Sequence, residues 1–353
     1  MKIGILTHHM VVNFGAYLQA YSVQEAVKKL RPDAEVEIIN YIPIKHFIIN
    51  TVGWFLWYKN RQNWKNWNNI FRLPFTLKRE RSKHMNLSPI CFSSKAISRL
   101  GYDLIVVGSD EVWNYSDSKS VNPIKFGHGL ESSRLISYAP SAGNSNIENI
   151  PEIVSSGLSK FSYISARDSL TVKLAEKITG KKIQEVLDPT FLYPLPSEPN
   201  PYLPDKKYIL FYYCEHLPPK LKEQIFKYAK DNDFAILGAG DSDKDYEECT
   251  VNMTPFQWID MFQHASFVFT GTFHGAVFSV LNHCQFKVYL TNKGRIAKVG
   301  ALLNSLGIEN RMMTDDYVFD FSTQKHEIDY SLVDKSIAEK REMSIKYLKD
   351  ALS

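Results

Sequence analysis

Short apolar strands alternate with amphipathic helices along most of the chain, and this alternation restricts the fold more than any other feature of the sequence. In the first part it predicts strands at residues 2–8, 35–41, 103–108, 135–139, 162–167 and 183–187, with helices at 16–30, about 150–161 and between Asp168 and Gly180. Strands that are separated by helices form parallel sheets covered by those helices. The sequence therefore predicts an α/β fold.

A proline-rich stretch interrupts this alternation, because five of the sixteen prolines lie between residues 194 and 204. Such a stretch breaks regular structure and is typical of a linker. Beyond it the pattern restarts with strands at 208–214, 234–238, 266–270 and 286–290, helices at 220–231, 255–264 and 295–306, and a last helix. We therefore predict two α/β domains, at 1–193 and 205–325, and a C-terminal segment at 326–353.

The composition is that of a globular protein. The chain has 353 residues, of which 44% are hydrophobic and 23% charged, and no apolar run reaches the roughly twenty residues that a membrane span needs. The first apolar segment is too short for a signal peptide. The widely spaced cysteines fit neither a disulfide framework nor a zinc ribbon, so we expect a cytoplasmic protein; they are Cys91, Cys214, Cys249 and Cys284.

Positive charge is concentrated in residues 45–83. This segment has nine Lys or Arg against Glu80 alone, a net charge of +8, which leaves −4 for the rest of a chain whose total is +4. It also contains four of the six tryptophans: Trp54, Trp57, Trp64 and Trp67. We interpret residues 45–88 as an insertion into the first domain. Aromatic and cationic side chains together suit the surface of an anionic membrane. A packed helical insertion is the alternative, and nucleic-acid binding is disfavoured because no nucleic-acid motif accompanies the patch.

Residues 266–281 predict a strand, a tight turn and a helix that begins near His274. A helix N-terminus carries partial positive charge and can hold a phosphate or carboxylate, and an imidazole beside it can transfer protons. A small phosphorylated acid is the expected ligand. The alternative is a histidine that only caps or packs the helix.

Other polar residues lie where predicted strands end, and they are expected to face one cleft between the two sheets. His8 and His9 end the first strand. The remaining candidates are the turn at Asn13 and Gly15, then Asp110 and Glu111, Arg167, and the pair Lys293 and Arg295. Local turn contacts, helix capping and surface ion pairs are the competing interpretations for these residues. No cluster has the spacing of a metal site.

Six segments in sequence order resemble the polysaccharide pyruvyl transferase family. They are Asn13-Phe-Gly-Ala-Tyr-Leu-Gln-Ala-Tyr21, Val107-Gly-Ser-Asp-Glu-Val-Trp-Asn114, Ser137-Tyr-Ala-Pro-Ser-Ala-Gly143, Ser165-Ala-Arg-Asp168, Val186-Leu-Asp-Pro-Thr190 and Thr272-Phe-His-Gly275. The resemblance implies a fold like that of the GT-B glycosyltransferases, with two Rossmann-like domains and a C-terminal helix that packs back on the first. It also implies transfer of pyruvate from phosphoenolpyruvate to two sugar hydroxyls as a cyclic ketal.

The chain departs from the family at Thr272, where some members have an arginine that helps to bind phosphoenolpyruvate. Gly271 likewise stands where an acidic residue is often found in the branches closest to this chain. Arg167 and Arg295 are therefore expected to supply the cations that bind the donor. Thr272, Gly275 and Lys293 complete the predicted donor site.

His274 is expected to protonate the methylene carbon of phosphoenolpyruvate, and Asp110 to act as a base or to orient the acceptor. We predict that the acceptor saccharide, either free or lipid-linked, binds to His8, Asn13, Gly15, Glu111 and Trp113. No cofactor is expected besides this co-substrate. Two alternatives stay open, a GT-B glycosyltransferase that uses a nucleotide sugar and a catalytically silent binding protein of the same fold. We expect this protein to be located in the cytoplasm, or at the inner face of the membrane.

Overall fold

A computed structural model describes residues 1–44, 47–48, 67–116, 121–130, 133–214, 216–240, 243, 245–246, 251–313, 315, 317–319 and 327–353. The chain divides into two compact units. Unit 1 comprises Met1–Val52, Arg79–Leu195 and Ile337–Ser353, and unit 2 comprises Gly53–Lys78 and Pro196–Ser336. The division after Leu195 falls in the proline-rich stretch.

Unit 1 is built on a four-stranded parallel sheet. Its strands are β1 (Lys2–Leu6), β2 (Glu35–Ile38), β3 (Leu104–Val107) and β4 (Arg134–Ser137), in the order β2-β1-β3-β4. Ile3 of β1 aligns with Val36 on one side and with Leu104 on the other. Strands β1, β3 and β4 are buried along most of their length and are mainly apolar, whereas the edge strand β2 alternates between exposed or half-buried glutamates and the buried Val36 and Ile38.

Helices and shorter elements complete unit 1. They are α1 (Phe14–Leu30), α3 (Ser94–Ser98), a 3-10 helix at Pro123–Phe126, α4 (Glu152–Leu158), α5 (Ser169–Thr179) and a 3-10 helix at Pro189–Phe191, together with the paired strands β5 (Ser165–Ala166) and β6 (Gln184–Glu185). The sequence allows Asp168 or Ser169 as the cap of this helix, and the structure has Asp168 as the N-cap of α5. Gly180 ends the helix at a φ of 67°, as predicted. Helix α4 is shorter than predicted, and β5 has two residues where a longer strand was expected.

Unit 2 contains a second parallel sheet. Its strands are β7 (Tyr208–Tyr212), β8 (Ala235–Gly238), β9 (Phe267–Thr270) and β10 (Phe286–Val288), in the order β10-β9-β7-β8. The helices between them are α6 (Pro219–Asp231), α7 (Pro255–Gln263) and α8 (Phe273–Leu281), and α9 (Lys293–Ser305) follows β10. Phe211 and Phe269 stack in its core with ring centroids 5.4 Å apart. The prediction of two Rossmann-like units is confirmed.

The last helix, α10 (Tyr330–Leu352), belongs to unit 2 as far as Ser336 and to unit 1 from Ile337 onward. Several hydrogen bonds anchor its later turns in unit 1. The Tyr347 hydroxyl donates to the Ser137 carbonyl at 2.9 Å, and the backbone N–H of Leu187 donates to Ser344 Oγ at 2.9 Å. The C-terminal helix thus packs on the first α/β unit, as the family resemblance implies.

Helix α2 (Trp67–His84) forms the described part of the basic segment, and the rest of that segment, with Trp54, Trp57 and Trp64, lies outside the described residues. Arg81 does not join the solvated cations of this segment. It is buried and its guanidinium donates to the His9 carbonyl at 3.4 Å, and burial lowers its pKa to about 10. No helix in the described ranges is long and apolar enough to cross a membrane.

Candidate functional site

In unit 2, His274 lies at the start of a helix that directly follows a buried strand. Thr272 is the N-cap of α8, and its hydroxyl accepts a hydrogen bond from the backbone N–H of Gly275 at 3.0 Å. The half-buried His274 is the second residue of the helix. The predicted strand, turn and helix are therefore present, but the Thr272 hydroxyl is engaged in capping.

Gly275 has a steric role in this arrangement. A Cβ atom at this position would lie 1.9 Å from Thr270 Oγ1 and 2.7 Å from Thr270 Cβ, which is far inside van der Waals contact. The missing side chain allows the first turn of α8 to approach the end of β9 closely. This close approach fixes the position of His274.

Lys293 and Arg295 both lie in the first turn of α9, which begins two residues before the predicted helix start at residue 295. Asn292 caps this helix by accepting from the N–H groups of Gly294 and Arg295 at 3.1 Å each. Strands β9 and β10 are parallel neighbours, so the starts of α8 and α9 lie at the same edge of the sheet. Both cationic side chains are exposed there.

Lys298 adds a cation that the sequence reading missed. Its ammonium lies 5.0 Å from the centroid of the Phe273 ring, next to His274 in the chain. The signal that could have identified it is its spacing, because a residue three positions after Arg295 lies on the same helix face. Three cations thus accompany His274 at this edge: Lys293, Arg295 and Lys298.

In unit 1, a tight turn after β3 positions Asp110. Gly108 has a φ of 120°, and a Cβ atom there would lie 2.2 Å from the Tyr138 carbonyl oxygen, so only glycine fits. Asp110 itself has a φ of 74° and is not a helix N-cap, in contrast to one interpretation of the sequence. Its carboxylate is directed to Arg167.

Arg167 joins two carboxylates. Its guanidinium is 3.1 Å from Asp110 Oδ1 and 2.8 Å from Asp188 Oδ2, and its side chain is only 2% exposed. Asp188 also accepts a hydrogen bond from the Gln19 side chain. Burial by itself would lower the pKa of Arg167, but the carboxylates, Asp188 foremost and then Asp110, raise it above its ordinary value. These contacts correct the expectation of a cation available to the donor.

Trp113 is a core residue. Its side chain is 0% exposed, its indole N–H donates to the Lys125 carbonyl at 2.9 Å, and its ring meets Phe161 edge to face at 5.5 Å. A side chain without exposed surface cannot contact a saccharide, so the predicted acceptor role is wrong. Glu111, by contrast, is exposed and accepts a hydrogen bond from the Asn114 side chain at 3.1 Å.

Asn13 and Gly15 belong to the start of α1. Asn13 is the N-cap, and its side chain accepts from the backbone N–H of Ala16 at 2.9 Å. Gly15 is buried within the first turn of the helix rather than placed in a loop. The local contacts of both residues correct the expectation that they form an acceptor-binding turn.

A small cavity lies where β1 ends, and it brings His8 and His9 together with Lys125. The cavity has a volume of about 40 Å³, and Lys125 Nζ lies 3.0 Å from each ring nitrogen of His8. Burial lowers the pKa of Lys125 to about 7 and that of His9 to about 4. Sequence reasoning missed Lys125, since a single lysine in a loop region carries no signal until the fold places it.

Among the described residues there is no group of three His, Cys, Asp or Glu side chains positioned to hold a metal ion. Cys91, Cys214 and Cys284 form no disulfide with another described cysteine, and Cys249 lies outside the described residues. Within the described part of the chain, the chemistry on display is therefore that of histidines, carboxylates and cations.

Comparison with known proteins places these features in a family context. The family model for polysaccharide pyruvyl transferase matches residues 13–290. No curated protein matches the chain. Among solved structures, the UDP-GlcNAc 2-epimerase from Methanocaldococcus jannaschii is similar, with a TM-score of 0.52 and 12% identity over 96% of this chain and 92% of the epimerase.

A putative UDP-N-acetylglucosamine 2-epimerase from Listeria monocytogenes has the same TM-score of 0.52, with 8% identity over 99% of this chain and 91% of that protein. A glycosyltransferase, SnogD from Streptomyces nogalater, aligns with a TM-score of 0.47 and 12% identity over 98% and 95%. At such identities the epimerases report the fold alone. The fold is GT-B-like.

Proposed function

Because the chain belongs to the polysaccharide pyruvyl transferase family, we propose that it transfers pyruvate from phosphoenolpyruvate to two hydroxyls of one sugar as a cyclic ketal. The acceptor is a polysaccharide or its lipid-linked precursor, as in the biosynthesis of capsules and exopolysaccharides. The observation that carries this proposal is His274 at the N-terminus of α8, beside the cationic start of α9. An acid, a helix dipole and cations are what this donor requires.

In the proposed reaction, His274 delivers a proton to the methylene carbon of phosphoenolpyruvate, and the adjacent carbon becomes electrophilic. A sugar hydroxyl forms a C–O bond to that carbon and loses its proton. The C–O bond to phosphate then breaks, and the second hydroxyl closes the ketal. Of the two hydroxyl protons, one replaces the proton supplied to the methyl group and the other leaves with hydrogen phosphate, so the reaction balances.

The anionic groups of the donor are assigned to unit 2. The partial positive charge at the start of α8 favours an anion there, and Lys293, Arg295 and Lys298 contribute cations. Such donors stabilise negative charge that develops on a departing phosphate. In this scheme these cations replace the arginine that some family members have at the position of Thr272.

In unit 1, Asp110 is proposed to orient an acceptor hydroxyl or to receive its proton. Its carboxylate is held by Arg167 and its side chain keeps 17% exposure, so an oxygen can still face solvent or a substrate. Glu111, His8 and Asn13 are the other predicted acceptor contacts whose side chains are at least partly exposed. Arg167 then acts by positioning Asp110.

The decisive experiment incubates the protein with a lipid-linked saccharide and either phosphoenolpyruvate or a sugar nucleotide, and measures which donor is consumed. We expect phosphate release and a ketal product only with phosphoenolpyruvate. Consumption of the sugar nucleotide would instead support a glycosyltransferase. Consumption of neither donor across a panel of saccharides would support a silent binding protein.

The first prediction is that His274→Gln lowers turnover about a hundredfold to ten-thousandfold, the range for a missing general acid. Glutamine keeps hydrogen bonding but cannot titrate. The matched control is His264→Gln, because the His264 side chain is 61% exposed at the end of α7 and pairs with Asp260. We expect that variant to keep wild-type turnover. Near-normal turnover of folded His274→Gln would refute the role of His274.

We also propose that α2 brings the enzyme to an anionic membrane surface. One face of the helix is buried through Ile70, Leu73 and Leu77, while Phe71 and Phe75 on the other side are 49% and 73% exposed. The exposed cations of the helix are Arg72, Lys78, Arg79 and Lys83, and its only acidic residue, Glu80, is buried. Arg79 pairs with Glu80 at 3.1 Å, and its guanidinium remains on the surface. Exposed aromatic rings beside exposed cations are complementary to anionic headgroups.

The second prediction is that the chain sediments with anionic vesicles but hardly with neutral ones, and less so at high salt. Each cation near such a bilayer contributes about 1 kcal/mol, so a triple change of Arg72, Lys78 and Lys83 to Glu should abolish sedimentation. The matched control changes Lys220, Lys227 and Lys230 of α6, all exposed, to Glu. Equal loss in both triple variants would mean that net charge, rather than α2, governs binding.

A further inference from the structure

The cavity at the end of β1 occupies the topological switch point of the unit 1 sheet. The strand order is β2-β1-β3-β4, so the chain leaves β1 on one side for β2 and returns on the other side for β3. Ligands of open parallel sheets bind at the carboxyl ends of the strands at such a point. Thr7, His8, His9 and Lys125 form the polar part of the cavity wall, and Val11, Val12 and Pro43 belong to its apolar part.

Two buried cations, Lys125 and Arg81, lie close to this cavity. Lys125 and Arg81 are each 5% exposed, and neither forms an ion pair with any described residue. Asp110, which acts on Lys125 electrostatically, is already paired with Arg167. A buried cation without a counter-ion is unfavourable, and an anionic ligand would relieve that cost.

His9 provides a second, independent indication of a ligand. Its ring is 1% exposed, Nε2 faces Asn40 Oδ1 at 3.2 Å, and Nδ1 is buried without a hydrogen-bond partner in the described part of the chain. With Nε2–H donating to Asn40, the remaining nitrogen is an acceptor. A ligand hydroxyl could donate to it.

We propose that this cavity binds the anionic substituent of an acidic saccharide, with the oxyanion at Lys125 and a neighbouring hydroxyl at His9. This inference rests on the proposed function, since it identifies the acceptor as a sugar that carries a carboxylate or a phosphate. The volume of about 40 Å³ admits one such group, while the rest of the saccharide lies outside the cavity. Lys125 is then a specificity-determining residue for the acceptor.

The test uses sulfate, whose charge stays at −2 over the pH range of interest, and measures its binding to the purified chain by equilibrium dialysis. We expect Lys125→Met to weaken sulfate binding at least tenfold and Lys125→Arg to retain most of it. Lys287→Met is the matched control, because Lys287 is another buried lysine, in unit 2, whose ammonium donates to the Asn310 carbonyl at 2.7 Å. That variant should bind sulfate normally.

Sulfate binding by Lys125→Met equal to that of the wild type would overturn the inference. If the variant does not fold, as judged by circular dichroism, the wild-type protein decides: its affinity for sulfate should fall at least tenfold from pH 6 to pH 9, and an unchanged affinity would refute the site. The groups around Lys125 are His8, His9, Asp110 and Arg81. Burial lowers the pKa of His9 to about 4, so its ring is neutral over this whole range, and the fall in affinity reports the loss of charge at Lys125.

Competition identifies the ligand. Glucuronate and glucose 1-phosphate should displace sulfate, and glucose should not. Displacement by only one of the two acids would show whether the site prefers a carboxylate or a phosphate. Displacement by glucose alone would count against the proposal. These measurements need no turnover. If the chain binds sulfate through Lys125 but consumes no phosphoenolpyruvate, the anion site is supported and the proposed transfer is refuted. If it consumes phosphoenolpyruvate but does not bind sulfate through Lys125, the transfer is supported and the anion site is refuted.

Discussion

At the scale of single residues, Arg167 shows how a strand-end cation can serve a carboxylate instead of a ligand. Its guanidinium lies between Asp110 and Asp188 in a buried site, and Gln19 adds a further hydrogen bond to Asp188. Two acids and one cation leave little positive charge for phosphate. The contact with Arg167 instead holds the Asp110 carboxylate in one orientation at the end of its strand.

The third prediction is that Arg167→Met destabilises the protein by about 3–5 kcal/mol, because two buried carboxylates lose their cation. Urea unfolding measures this change. Lys177→Met is the control, since Lys177 forms an ion pair with Glu148 in which the side chains are 47% and 77% exposed. Exposed pairs contribute about 0–1 kcal/mol. A similar small effect in both variants would show that the Arg167 pairs are weak.

Lys125 should have the opposite effect on stability, which is the fourth prediction. Its pKa of about 7 in the folded chain lies below the ordinary value of 10.5, so folding disfavours its charged form. The resulting destabilisation is complete below about pH 7 and disappears as pH rises through 10.5. Lys125→Met should therefore stabilise the ligand-free protein at pH 6 and hardly at pH 10, as measured by urea unfolding. A pH-independent difference between the two proteins would contradict this linkage.

At the scale of elements, the β9–α8 junction depends on two short-range contacts. Thr272 caps the helix, and Gly275 allows the helix to approach Thr270. Both residues were predicted to bind the donor, and both are used by the backbone to place His274. Proton transfer to a carbon atom requires the imidazole to be placed precisely.

The fifth prediction is that Gly275→Ala destabilises unit 2 by about 1–3 kcal/mol, the usual cost of overpacking. The added Cβ would meet Thr270 at 1.9 Å. Gly300→Ala is the control, because Gly300 lies within α9 with nothing within 4 Å of an added Cβ. That change should stabilise the helix by about 0.5–1 kcal/mol. Stabilisation by both changes would mean that the junction relaxes easily.

At the scale of the whole molecule, unit 1 is assembled from chain segments far apart in sequence. The first strands, the middle of the chain and the end of α10 all belong to it. Leu348, Ala351 and Leu352 of α10 are each 0% exposed, and Arg134 donates to the Ala351 carbonyl at 3.0 Å. The C-terminal turns are thus part of the core of unit 1 rather than an appendage.

The last prediction follows from this assembly. Leu348→Ala should lower the free energy of unfolding by about 2–5 kcal/mol, the range for truncation of a buried leucine. Leu332→Ala in the same helix is the control, since Leu332 is 67% exposed and should cost less than about 0.5 kcal/mol. Urea unfolding followed by circular dichroism measures both. Equal effects would indicate that the end of α10 does not stabilise unit 1.

The sequence by itself determined the α/β class, a change of unit within the proline-rich stretch, the helix that Gly180 ends, and the strand and helix that flank His274. These features arise from interactions between residues near in sequence: hydrophobic periodicity, capping side chains and glycine at a helix end. The family motifs extended this reading to function.

Only the tertiary structure decided which strand-end residues are available for chemistry. Trp113 is buried in the core, and Arg167 pairs with Asp188. Lys125 lies beside His8, which is 117 residues earlier in the chain. Burial and charge pairing depend on neighbours that only the folded chain brings together. A motif therefore fixes the kind of residue at a position, whereas its partners across the sheet fix whether that residue packs, pairs or binds.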